Sequence, residues 1–212
     1  FLSDAFYVQD GGILSPEDPS PYIHSDTRYS GKPGVRIDCT GEGEQRVDSS
    51  WMRRTEAERC AELAQHWLAE CPESTVGVMS LYAAQSRAIL AAMTSLKTPD
   101  GTSLSAVDEK YDRLDVHPDL VDRLRVGNVD AFQGREFDHV ALSLVRSNSY
   151  SNARRAFGYL ALPNRLCVAM SRQRRLLAVL GDRSRFKGEL ADEAVPALSE
   201  FLRRCEEHHA VY

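Results

Sequence analysis

Two short blocks carry residue types that handle phosphate. Residues 129–136 read V-D-A-F-Q-G-R-E, and residues 164–175 read N-R-L-C-V-A-M-S-R-Q-R-R. Each sets arginines and amide or carboxylate side chains beside a short apolar strand. A strand-end loop can present such groups to a phosphate without burying them unpaired. Gly134 lets the backbone approach a ligand closely, and Gln133 and Glu136 supply polar groups around it. On a helix starting at Pro163, the residues Arg165, Ala169 and Arg172 fall at i, i+4 and i+7 and share one face. Ala169 leaves room there for something flat or anionic, while Leu166, Met170 and Leu177 point to the core. A guanidinium aimed into a cleft stabilises charge spreading over a transferring γ-phosphoryl group. Such an arginine finger contributes on the order of 10³–10⁵ in rate. Other readings stay open. Arg165 either reaches a ligand or braces the block through a carboxylate. Arg135, Glu136 and Asp138 could form a salt-bridged turn, Arg174 and Arg175 a solvated or strand-capping pair, and Asp130 a loop cap.

The rest of a nucleotide engine is missing. An ATPase needs a glycine-rich loop ending in Lys and Ser or Thr, whose N–H groups cradle phosphates. No G-x-x-x-x-G-K-[ST] occurs, and Gly11–Gly12 and Gly41/Gly43 read as loops. The apolar run 140–145 ends in Arg146 rather than in a metal-holding Asp-Glu. The chain begins at Phe1, so it reads as a piece of something longer. By itself it is not expected to hydrolyse ATP. Asp108, Glu109 and Lys110 superficially suggest a nuclease, but no strand presents them.

The elements that must hold these blocks alternate between strand and helix. Helices are expected at 55–71 (a Thr55/Glu58 capping box, then Ala57, Cys60, Ala61, Ala64 and Leu68 on one face, stopped by Pro72), 83–93, 163–174 and 192–207. Strands are expected at 35–39, 75–80, 124–129, 139–145 and 176–180. The stretch 97–122 has a P-D-G turn and no clear period, so it reads as a variable insertion. Residues 1–50 form an irregular opening segment, and 147–156 reads as polar and mobile. The alternation implies a single α/β domain over 1–212 with a mostly parallel sheet covered on both faces. Ligands of such sheets gather beyond the carboxyl ends of the strands, where both arginine-bearing blocks are expected.

Composition narrows the classes. With 212 residues, 42% of them hydrophobic, the chain can bury one good core. No apolar run approaches the roughly 18 residues of a membrane span. The five cysteines are odd in number and form no C-x-x-C pair, which suggests reduced, mostly buried thiols in an intracellular protein. The scattered histidines suggest no metal site. Net charge is −5, yet 123–175 holds ten arginines against three acids, a local +7. A nucleotide and nucleic-acid cleft needs such a concentration, although a solvated basic face would also show it.

In order and spacing, the two blocks closely resemble motifs V and VI of superfamily 1B helicases. These are AAA-type DNA/RNA helicases, in the subgroup of the nonsense-mediated-decay RNA helicase and senataxin. S-L-Y-A-A-Q at 80–85 resembles the T-P-Y-x-x-Q of motif IV. S-W-M-R-R-T-E-A at 50–57 matches S-x-x-N-x-x-E-A with Arg53 for Asn, V-R-S-N at 145–148 is shared, and F-L-S-D-A-F-Y resembles the family's lead into its second domain. The Q-Y-R-M-H-P block that precedes that lead in the family is absent. Cys167, Ser171 and Gln173 depart from R-L-N-V-A-L-T-R, and the cysteine loses a hydrogen-bonding amide.

The resemblance implies the C-terminal RecA-like domain of a helicase, lacking its own phosphate loop. Arg172 would be the arginine finger, with Arg165 a second catalytic candidate. Gln133, Gly134, Arg135 and Glu136 would face ATP and Mg²⁺, bound jointly with an upstream RecA-like domain. Single-stranded RNA or DNA would meet Ser80, Tyr82, Gln85, Asn128 and Arg146, with 5′-to-3′ movement. Ser80 is equally placed to cap a helix, and Tyr82 to join the core. The alternative is a non-catalytic nucleic-acid- or protein-binding module that kept the fold.

Overall fold

The computed structural model describes residues 23–29 and 31–212. The opening F-L-S-D-A-F-Y and the Gly11–Gly12 pair lie outside the described residues. The sheet strands are β1 (Gly34–Asp38), β4 (Val76–Ser80), β7 (Leu124–Asn128), β8 (Phe137–Ser143) and β9 (Gln173–Gly181). They run in the order β1-β9-β8-β4-β7, every neighbouring pair parallel. Two antiparallel pairs stand apart: β2 (Gln45–Val47) with β3 (Ser50–Met52), and β5 (Ser105–Asp108) with β6 (Arg113–Val116). The helices α1 (Arg54–Glu70), α2 (Ala83–Met93), α3 (Ala153–Phe157), α4 (Pro163–Met170), α5 (Glu189–Ala194) and α6 (Pro196–Glu207) flank the sheet.

β4 and β8 are buried at every position, as strands of a parallel sheet covered on both faces must be. Their continuous apolar runs are the sequence signature of that burial. α1 packs Ala57, Cys60, Ala61, Ala64, Trp67 and Leu68 against this layer. The Trp67 indole N–H donates to Asp26 at 2.9 Å, and its ring lies 5.2 Å from that of buried His139. The last residues of the chain cover the outer edge of β1: Arg36 N–H donates to Ala210 and Tyr212 N–H donates back to Arg36, each at 2.8 Å.

Several expectations shift. α1 starts at Arg54 and no capping box forms. Thr55 reaches Glu42 at 3.4 Å instead, and Glu58 pairs with Arg54. The insertion at 97–122 contains the β5–β6 hairpin, anchored by Leu104, which is fully buried, and by Ser105 donating to Leu90 O. Strands of four residues are too short to show a period. Within 147–156 the side chain of Asn152 caps α3, and Asn148 bonds Glu44 and Ala156, so the stretch is fastened at both ends. The C-terminal helix is two, because Pro196 forces Val195 out of helical backbone (φ −138°, ψ 52°). α4 ends four residues early because Arg172 O accepts the Phe137 N–H at 2.8 Å and β9 begins. Among the described residues no helix is long and apolar enough to cross a membrane.

Candidate functional site

Register separates the candidate residues onto two rims. Ser80 lies level with Asn128 and Ser143 at the carboxyl ends of the strands. Phe137 lies level with Gln173 at the amino ends. The block 129–136 is therefore the return crossing from β7 to β8, and it delivers Gly134 to the amino-end rim. α4 runs the same way and carries the second block from Arg165 to Arg172. The expectation that both blocks sit beyond the carboxyl ends is corrected. Two parallel strands require a connection back to the start, and these blocks are such connections.

The return crossing opens with a short 3-10 turn that Val129 and Phe132 anchor in the core. The Asn128 side chain, rather than Asp130, caps that turn by accepting Ala131 N–H at 3.2 Å. Gly134 then adopts φ +74°, a conformation that disfavours any residue with a Cβ, and nothing lies within 4 Å of where a Cβ would stand. Gln133, Gly134, Arg135 and Glu136 are all exposed. Neither Arg135 nor Glu136 forms an ion pair with a described residue. Asp138 turns away from them to Arg174 (3.2 Å) and Arg175 (3.4 Å), so the salt-bridged turn is replaced by a pairing across the strand starts. Burial alone would raise the Asp138 carboxyl. Hydrogen bonds from Thr75 and the two guanidinium groups bring it below its ordinary value.

Arg172 is half-buried just beyond α4. Its Nε donates to Val168 O at 3.0 Å and its terminal nitrogen to Ser171 Oγ at 2.7 Å. A guanidinium on the last carbonyls of a helix satisfies orphan acceptors and suits the helix dipole. Since α4 stops at Met170, Arg172 does not share a helical face with Arg165. Ala169, expected to open that face, is fully buried. Arg165 stands at the other end of the helix, paired with Asp130 at 3.1 Å, its guanidinium 5.3 Å from the Tyr159 ring. The carboxylate partner named in one of its two readings is present.

The carboxyl-end rim is built inside out. Ser80, Tyr82, Gln85 and Arg146 come together there, all buried. Ser80 donates to Ser143 O (3.1 Å) and accepts Tyr82 N–H (3.3 Å), while Ser50 from β3 accepts the Ala84 N–H of α2. Gln85 holds the Arg53 backbone from both sides, at 2.8 and 3.1 Å, and donates to Ser143. Arg53 and Glu56 form a fully buried ion pair at 2.5 Å. Burial pushes the Glu56 carboxyl up, opposed by Arg53, the Ser143 hydroxyl (2.6 Å) and the Val145 N–H (2.9 Å). Val145, a β-branched residue, is held at φ +67° with Arg146 N–H closing a three-residue turn onto Leu144 O. Such backbone costs on the order of 1–3 kcal/mol and persists only where its surroundings over-determine it. Arg146 then bonds Glu44, Ala156 O and Arg155 O, its guanidinium 4.9 Å from the Trp51 ring. Burial raises Tyr82 to about 12.

Expected as nucleic-acid contacts, these four side chains are internal braces in this structure. The Arg53–Glu56 ion pair itself was not anticipated, although both residues stand in the matched block 50–57.

An open parallel sheet whose return connections present an exposed glycine loop beside an arginine at one rim defines an α/β domain with a rim suited to an anionic ligand. The comparisons with known proteins agree. The chain belongs to the AAA domain family, whose profile matches residues 1–184. It is 32% identical over 153 residues to Regulator of nonsense transcripts 1 of Dictyostelium discoideum, 71% of this chain and 10% of that protein. It is 31% identical over 136 residues to the ATP-dependent helicase upf1 of Schizosaccharomyces pombe, 63% of this chain and 12% of that protein. Over 111 residues it is 36% identical to the DNA polymerase alpha-associated DNA helicase A of Saccharomyces cerevisiae, 52% of this chain and 12% of that protein. The chain is thus a superfamily 1 helicase-like domain that spans about a tenth of the length of these relatives.

Proposed function

We propose that this chain is the C-terminal motor domain of an ATP-dependent nucleic-acid helicase or translocase, completed by an upstream RecA-like domain of the same polypeptide. One observation carries the reading. The exposed loop Gln133–Gly134–Arg135–Glu136 and Arg172 share a rim, tied by the Phe137 N–H to Arg172 O bond of 2.8 Å. The loop fits a nucleotide because the space before Gly134 is open and its polar groups have no ion-pair partner among the described residues. Bound between the two domains with Mg²⁺, ATP supplies the phosphoryl group.

Gly134 brings its backbone close to the nucleotide, and Gln133, Arg135 and Glu136 fix its orientation. Arg172 rests on neutral acceptors, Val168 O and Ser171 Oγ, and a phosphate oxygen is the stronger acceptor. Its guanidinium therefore swings from the helix end to the charge developing on the γ-phosphoryl oxygens. Arg165 holds Asp130 and thereby the turn that sets the loop. The braces Ser80, Tyr82, Gln85 and Arg146 shape the carboxyl-end rim, along which a single strand of RNA or DNA runs past Asn128. Without the upstream domain the chain has no ATPase activity.

The test is Arg172→Ala in the polypeptide that includes the upstream domain, measured as strand-stimulated ATP turnover and as nucleotide Kd. Turnover falls on the order of 10³-fold or more while Kd changes little. Unchanged turnover removes the finger assignment. A wild-type polypeptide that binds strands without any turnover supports instead the non-catalytic binding module.

A further inference from the structure

The turn between α3 and α4 has no part in the motor reading above, yet it presents an unusual surface. Tyr159 is 49% exposed, and so nearly is Leu162 at 46%. The Tyr159 ring is held from its flanks. The Arg165 guanidinium lies 5.3 Å from its centroid and the Tyr82 ring 5.6 Å away at 42°. The Tyr159 N–H donates to the buried Tyr82 hydroxyl, which donates in turn to Phe157 O, each at 3.3 Å. Gly158 makes this possible: at φ +53° it passes so close that a Cβ there would lie 2.7 Å from the Tyr82 hydroxyl. The ring is thus fixed in place while half its surface stays open. A side chain that only filled the core would not be arranged this way.

The segment that carries the ring has charge of one sign, although Asp130 from another segment pairs with the flanking Arg165. From His139 to Gly181 the sequence contains no Asp or Glu. α3, which leads into the turn, carries Arg154 and Arg155, both exposed and in no ion pair with a described residue. Arg155 stacks on Tyr150 at 4.2 Å. A pre-positioned aromatic face beside uncompensated arginines matches a chain of phosphates bearing flat bases. Tyr82 follows the carboxyl end of β4, so the turn stands on the rim where the strand is proposed to run.

We propose that Tyr159 is a stacking platform for one base of a single nucleic-acid strand, with Arg154 and Arg155 meeting the adjoining phosphates. The proposal rests on the motor reading and names a contact within its track. Tyr82 and Arg165 act as positioning residues that keep the ring from folding onto the surface.

The experiment uses the intact polypeptide and fluorescence anisotropy on labelled oligouridylate and oligothymidylate, each beside an abasic strand of equal length. Tyr159→Ala weakens binding of the base-bearing strand about tenfold, leaves the abasic strand unaffected and leaves the salt slope unchanged. Tyr159→Phe and Tyr159→Trp retain wild-type affinity, which separates stacking from a folding defect. Arg154→Gln with Arg155→Gln weakens both kinds of strand and lowers the salt slope by about 1.4. Equal affinity of Tyr159→Ala and wild type for the base-bearing strand overturns the proposal, as does an equal loss on the abasic strand. Lost ATPase coupling with intact strand affinity also overturns it, assigning Tyr159 to a contact with another protein surface. Wild type that binds no strand defeats the motor reading as well; wild type that binds while Tyr159→Ala is silent defeats only the platform.

Discussion

The two rims of the sheet invest their polar residues in opposite ways. At the carboxyl end, Arg53, Glu56, Gln85, Ser80 and Arg146 are buried and nearly every polar atom is matched inside the protein. At the amino end, Gln133 to Glu136 are exposed and Arg172 holds only neutral acceptors. Removing a partner from the first rim leaves a buried charge uncompensated, whereas removing one from the second leaves a group that water can still reach. The first rim therefore belongs to folding and shape, and the second is free to answer a ligand.

That contrast breaks or sharpens at specific residues. The largest effect on stability is expected from Glu56→Ala, which strands Arg53 in the interior and costs about 3–5 kcal/mol. Chemical denaturation measures it, and a loss below 1 kcal/mol would put the buried pair on the same footing as a surface one. Arg172→Ala, by contrast, should leave the denaturation midpoint almost unmoved.

Acid sensitivity is expected to come mainly from buried His139, with a smaller part from Asp138 at the strand starts. Burial, with repulsion from His24, lowers His139 to about 4 from an ordinary 6.5. Because the folded value is depressed, the unfolded chain takes up the proton first. Stability then falls as pH drops from about 6.5 to about 4, by roughly 2–3 kcal/mol. Asp138, whose carboxyl is also lowered, adds a loss of the same sign as pH falls through its folded value. His139→Leu should flatten the melting temperature between pH 6.5 and 4, and an unchanged slope would transfer the effect to the carboxylates.

The smallest effect lies on the exposed rim. Arg174→Ala removes one of two guanidinium groups from Asp138, with its own side chain 43% exposed, so solvent screening leaves it worth about 0.5 kcal/mol or less. A loss above 2 kcal/mol in the denaturation midpoint would erase the distinction between the rims.

Legibility in the sequence followed the reach of the interactions involved. α2 stood at 83–93 as its spacing predicts, because periodic apolar residues answer to one buried face, and β4 and β7 lie within a residue of their expected ends. The end of α4 was not legible. Arg172 continues the helical spacing, but its carbonyl is claimed by Phe137, a residue on another strand. Likewise Thr55 and Glu58 spell a capping box locally, yet the helix already starts at Arg54, with the Arg53 N–H donating to Gln85 thirty-two residues away, so Thr55 lies inside the first turn. The polar residues of 80–85 were picked out by type, while their burial was not foreseen, since it depends on what arrives from β3, β8 and α3.

By itself, the order of residues determined the alternating α/β architecture, the residue types at the return loops and the local surplus of arginine. These depend on side-chain chemistry and short-range period, which a linear chain carries in full. Only the tertiary structure decided which polar groups became internal braces and which stayed open. That choice is made by desolvation against distant partners, and a buried charge such as Glu56 is tolerable only because Arg53, three residues before it, and Ser143 and Val145, at the far end of β8, converge on it.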